Sequence, residues 1–109
     1  MAKLIGRCYF KLTASGNLLS EYSHNNSKGI NTESASLVKA VSGFVGTYNS
    51  YWNETDSTLP VTLEINFRKG TNDTIYTLTW TENGIIIFWG EGMLCDDILI
   101  ADYRNFPKF

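Results

Sequence analysis

A chain of 109 residues, 43% hydrophobic and 14% aromatic, has the size of one domain and is too apolar for a disordered segment. Nine Lys and Arg against eleven Asp and Glu leave a net charge of -2, and the basic residues are scattered singly apart from Arg68-Lys69. Nucleic-acid binders concentrate positive charge to displace counterions from phosphates, so this balance argues against nucleic acid. No apolar run approaches membrane-spanning length, which argues against a membrane as well.

The dominant signal along the chain is alternation with period two, the mark of half-buried strands. Leu4, Gly6, Cys8, Phe10 and Leu12 alternate with Lys3, Arg7 and Lys11, giving a first strand over 4–13. Ser15-Gly16-Asn17 turns the chain into a second strand over 17–23. Residues 23–31 are polar around His24 and read as a loop or lid. The next stretch resists the pattern. Thr32 has the chemistry of an N-cap, Glu33 would sit at the positive end of a helix, and Gly43 would stop it. Leu37, Val38 and Val41 would then share a face, so the reading favours a short helix over 32–41, with a strand as the alternative.

Beyond it, strands are expected at 43–52, 60–68, 74–81, 85–93 and 98–104. Val61, Leu63, Ile65 and Phe67 point one way and Thr62, Glu64, Asn66 and Arg68 the other. Tyr76, Leu78 and Trp80 alternate with Thr77, Thr79 and Thr81. Asn83-Gly84 has the composition of a tight hairpin, and Asp96-Asp97 marks another turn. A weak echo places Tyr22, Tyr48 and Tyr103 at the same point of three similar strand segments, as convergent burial would do. The expected fold is therefore all-β: an antiparallel up-and-down barrel of about seven or eight strands, one domain over 1–109, with at most one short helix.

Two segments carry a family resemblance. Gly43-Phe44-Val45-Gly46-Thr47-Tyr48-Asn49-Ser50 is similar to the glycine-plus-tyrosine strand of avidins. Tyr76-Thr77-Leu78-Thr79-Trp80 followed by Ile86-Ile87-Phe88-Trp89-Gly90 is similar to their Trp-ending strand and the aromatic-Gly strand after it. The chain thus resembles the calycin group of avidin-like and lipocalin-like barrels. The resemblance implies a barrel with room for a small ligand, in which Tyr48 contacts a ligand ring, Ser50 lies beyond it, and Trp80 forms the floor. It does not extend to the closing strands of an avidin after Gly92, and does not imply biotin.

Chemistry is thinly signalled. His24 is the sole histidine and sits among Asn and Ser, a poor basis for zinc or for a Cys–His or Ser–His pair. Asp96-Asp97 with Glu91 matches no calcium-loop spacing and reads as a solvated turn. Cys8 and Cys95 both lie in apolar stretches and read as buried free thiols, a disulfide being the alternative. No cofactor is implied. With no leader pattern at its start the chain reads as cytoplasmic, or as secreted if a leader has been removed.

The aromatics are the more informative population. Tyr48, Ser50, Trp80 and Phe88 are the candidate lining of a site for a small apolar or aromatic-stacking ligand. Residues 85–89 are apolar on both faces, which an antiparallel strand with one wet face should not be. Ile85, Ile87 and Trp89 are taken as the outward set and as the interface of a homo-oligomer. The expected function is non-enzymatic binding of a small ligand or a protein. One rival is a structural or interaction domain with a filled core, acting through an oligomer interface; another is a hydrolase or isomerase working through carboxylates. A cavity of ~300 Å³ or more among the aromatics would favour the ligand, and a solid core the interaction domain.

Overall fold

Residues 3–53 and 61–105 are described by a computed structural model. The alternating segments become eight strands: β1 (Ile5–Leu12), β2 (Leu18–His24), β3 (Asn31–Ser42), β4 (Val45–Trp52), β5 (Val61–Phe67), β6 (Tyr76–Glu82), β7 (Ile85–Cys95) and β8 (Ile98–Asn105). Each pairs antiparallel with the next, and β8 returns to β1, so the meander closes into a barrel. Closure leaves no free edge, and inward and outward positions alternate around the whole sheet. Asn105 extends the seam beyond β1: its backbone N–H donates to the Leu4 carbonyl at 3.2 Å, and its Oδ1 accepts from Leu4 N–H at 3.0 Å.

The hairpins follow the turn chemistry. Asn83 and Gly84 both take positive φ (52° and 78°), the pair of left-handed residues a two-residue hairpin needs. Asp96 and Asp97 do the same at 49° and 66°, so this acidic pair forms the β7–β8 turn.

The expected helix over 32–41 is instead β3, and among the described residues there is no helix. β3 pairs with β2 through Leu18↔Ala35 to Tyr22↔Asn31, and with β4 through Glu33↔Trp52 to Ser42↔Val45. Thr32, Ser34 and Ser36 face outward, while Glu33, Ala35 and Leu37 face the interior. The alternation was present but carried a glutamate in its apolar phase. Two register shifts, at Leu37/Lys39 and Ala40/Ser42, put Val38 and Val41 out of step, so the end of the strand is exposed and reads as aperiodic.

The closed end of the barrel is packed with apolar side chains. Phe10, Leu18, Leu63, Ile65, Leu78 and Leu99 have 0% exposure. Phe44 and Phe67 flank Tyr76 with centroids 6.5 and 4.9 Å away, sealing the end that carries the β3–β4 and β5–β6 turns.

The thiols part company. Cys8 is buried on β1 as expected, but Cys95 is exposed, and both are free. Cys95 ends β7 beside the two left-handed aspartates, where the hairpin leaves the barrel wall.

Candidate functional site

The opposite end is where β1, β3, β5 and β7 begin and where β2, β4, β6 and β8 finish. Its inward positions are occupied by Tyr22 and His24 of β2, Glu33 of β3, Ser50 and Trp52 of β4, Trp80 of β6, Phe88 of β7 and Tyr103 of β8. Strand pairing brings them together: Glu33 lies opposite Trp52, and Trp80 opposite Phe88. The result is a cup of about 70 Å³ lined by Leu4, Tyr22, His24, Glu33, Trp52, Trp80, Phe88 and Tyr103. That volume exceeds what one water needs several-fold but lies far below the ~300 Å³ set above as favouring a ligand, so cavity size by itself gives the ligand reading no support.

Glu33 is the centre of the arrangement and is only 4% exposed. Its Oε2 accepts from Trp80 Nε1 at 2.9 Å, from Trp52 Nε1 at 3.1 Å, and from the Ser50 hydroxyl. Trp52 Nε1 also reaches Ser50 Oγ at 3.1 Å. Indole N–H groups only donate, so both tryptophans are matched to an acceptor at this point. All three bonds fall on Oε2, and Oε1 has no hydrogen-bond partner among the described residues. Every fully buried polar side-chain atom among them is satisfied, which makes Oε1 the oxygen left open to the cup. Burial pushes the Glu33 carboxyl above its ordinary range, and the bonds from Ser50, Trp80 and Trp52 pull part of the way back.

Aromatic rings form a continuous wall. Trp52 and Phe88 have centroids 5.4 Å apart, Phe88 and Tyr103 5.7 Å, Trp80 and Tyr103 5.8 Å, and Tyr22 and Tyr103 6.1 Å. Gly6 makes this possible: a Cβ there would lie 2.2 Å from the Tyr103 ring, so only glycine lets the ring lie against β1. At the rim, Nδ1 of His24 accepts from the Asn26 backbone N–H at 3.1 Å, which leaves Nε2 to carry the ring proton. The Ser27 hydroxyl and backbone bond the His24 backbone at 3.0 and 2.9 Å, so the loop expected over 23–31 is tied at its start.

Of the four expected lining residues, Trp80 and Phe88 stand in the cup wall. Ser50 lies behind the carboxylate as its donor. Tyr48 does not reach the cup; its hydroxyl donates to the Phe44 carbonyl at 2.8 Å, toward the closed end. Glu33, Trp52, Tyr22, Tyr103, His24 and Leu4 were not anticipated. The Tyr22–Tyr103 pair had a signal in the strand echo, since β2 and β8 run toward the same end and finish side by side with β1 between them.

The outward set also changes. β7 carries a bulge: Trp80 pairs with Phe88 but Thr81 pairs with Ile86, so Ile87 is extra and the parity reverses across it. Ile87 packs against the core rather than facing out, while Ile85 is 59% exposed. Trp89 faces outward but is half-buried, with the Arg104 guanidinium 4.6 Å from its ring centroid. Part of the apolarity of residues 85–89 is thus covered within the chain.

Cys8 faces inward, and burial first, then the charges of Glu33 and Asp102, push its thiol well above the ordinary value. A thiol so held is a poor nucleophile. No family model matches this chain, and neither the curated proteins nor the solved structures contain a significant match to it.

Proposed function

We propose that this chain is a small-ligand-binding protein on a calycin-type barrel, with the cup at the open end as its site. One observation carries the reading: a carboxylate is buried at an aromatic-walled opening with one oxygen held by three donors and the other without a hydrogen-bond partner among the described residues. Burying a carboxylate without a cation is costly, and no Lys or Arg among the described residues is buried to pair with it. A barrel selected for stability alone would fill this end as it fills the other. Prearranged polar atoms beside apolar walls are what small-molecule sites are made of. The volume admits a group of a few heavy atoms, so a larger ligand would insert one end and leave its body outside.

The reading is of binding without turnover. Two free cysteines are in keeping with a reducing compartment and support a cytoplasmic location. The test uses the three tryptophans, whose indole N–H signals are separable by nuclear magnetic resonance. Trp52 and Trp80 line the cup, whereas Trp89 lies on the outer wall. A panel of small fragments, cationic, neutral and anionic, should include members that move the Trp52 and Trp80 signals and leave Trp89 in place. A panel that moves none of them would end the proposal.

A further inference from the structure

Resting on that reading, we infer that the group the cup accepts is the ammonium head of a small organic amine, with Glu33 as its counter-charge and the aromatic wall as its second contact. Three features of the site converge on this class. First, Glu33 is the one carboxylate among the described residues that line the cup, its open oxygen is an acceptor, and no Lys or Arg among the described residues is buried beside it. An anion placed there would meet this carboxylate at close range. Second, the three groups already bonded to Glu33 are neutral donors, so the pocket holds the carboxylate in place without neutralising it. Third, Trp52, Trp80, Phe88 and Tyr103 surround the same space, with neighbouring centroids 5.4–5.8 Å apart. Aromatic faces attract cations, tryptophan most strongly, and the attraction grows where water is excluded.

Neutral ligands fit less well. A sugar or nucleobase needs several donors and acceptors, and among the described lining residues the side-chain polar atoms are those of Glu33, His24, Tyr22 and Tyr103, with the Trp52 and Trp80 indoles already donating to Glu33. Its volume of about 70 Å³ suits a compact head group rather than a ring system. The rim imidazole of His24 accepts through Nδ1 from Asn26, so Glu33 is the one carboxylate acceptor that the described lining offers an ammonium.

The experiment compares n-butylammonium with its near-isostere n-butanol and with butyrate, following the Trp52 and Trp80 indole signals with Trp89 as internal control. The expected order is n-butylammonium tightest, n-butanol about tenfold or more weaker, and butyrate without effect. Glu33→Gln keeps the size of the side chain and an acceptor for the indoles, and should remove most of the preference for the amine over the alcohol. Phe88→Leu leaves the carboxylate untouched and should weaken the amine more than the alcohol; it decides the question if Glu33→Gln does not fold. Equal binding of amine and alcohol to the wild type, or an undiminished amine preference in the folded Glu33→Gln protein, overturns the cation assignment while leaving a ligand cup. Silence of both cup indoles toward all three probes and the wider panel overturns the cup itself.

Discussion

The two ends of this barrel are lined by the same inward rows yet built to different rules. At the closed end Phe10, Leu18, Ile65, Leu78 and Leu99 lose all exposure, and Phe44, Phe67 and Tyr76 pack ring to ring across the mouth. At the open end the rows carry Glu33, Ser50 and His24 among the rings, and those rings stand around a space. Close packing stabilises because every buried methylene loses water and gains neighbours. A buried carboxylate and an unfilled volume do neither. The closed end therefore supplies the stability that lets the open end hold a costly group in a fixed position, a division common in binding proteins.

The division is broken most directly by truncating one side chain at each end. Leu78→Ala removes a side chain with 0% exposure and should cost about 2–5 kcal/mol in denaturant unfolding. His24→Ala at the rim removes the ring's bond from Asn26 and its stacking on Tyr22 and should cost only about 1 kcal/mol, because the loop bonds at Ser27 use the His24 backbone. Comparable losses from the two changes would mean the open end is as much a part of the core as the closed one.

A second substitution sharpens the contrast from inside the cup wall. Gly6→Ala would place a methyl 2.2 Å from the Tyr103 ring, and the ring is too rigid to give way without leaving its place. Overpacking of this kind costs about 1–3 kcal/mol. Tyr103 touches Trp80, Phe88 and Tyr22, so its displacement should also shift the Trp80 indole signal and lower the affinity for any cup ligand. An unchanged Trp80 signal in the folded variant would show that Gly6 and Tyr103 do not set the cup's shape.

The same division explains what could be read in the sequence. β5 and β6 were plain because apolar residues such as Leu63, Ile65 and Leu78 occupy every inward position and polar ones the outer face. β3 was misread as a helix because its inward row opens with the polar Asn31 and Glu33, and a charge in the apolar phase erases the period-two pattern. The residue that hid the strand is the one at the centre of the candidate site. The bulge at Ile87 has the same character: one extra residue reversed the inward and outward assignment, and nothing in a run of isoleucines marks where it falls. Trp80 has its inward phase because β6 keeps its alternation, and Phe88 because it lies on the Gly90 side of the bulge, whereas Tyr48 has the right phase but bonds toward the other end.

Glu33 gives the comparison a pH dependence with a definite sign. Burial raises its carboxyl above the usual 4.5, so the folded chain holds that proton more tightly than the unfolded one. Its contribution to stability is complete below the unfolded value and is lost as pH rises through the folded value. Glu33→Gln removes this titration and leaves the other ionisable groups around the cup, Tyr22, His24, Tyr103 and Cys8, in both proteins. The urea midpoint of the wild type relative to Glu33→Gln should therefore be higher near pH 4 than at pH 7. A difference that is flat, or that grows toward neutral pH, would show that the three donors outweigh burial of the Glu33 carboxylate.

The smallest effect costs no stability and locates the boundary between the ends. Cys8 sits in the inward row of β1 between Gly6, under the cup wall, and Phe10, in the packed end, while Cys95 is exposed at the β7–β8 turn. A disulfide reagent such as Ellman's should label Cys95 rapidly in the native protein and Cys8 only on opening of the barrel, giving one fast thiol per chain and two after denaturation. Burial and the nearby Glu33 charge both raise the Cys8 thiol, which slows it further, because the thiolate is the reacting form. A cup ligand that holds the open end together should slow the Cys8 reaction and leave the Cys95 rate untouched, since the turn lies at the far end. Rapid native labelling of both thiols would place Cys8 outside the core, and equal slowing of both would place the ligand somewhere other than the cup.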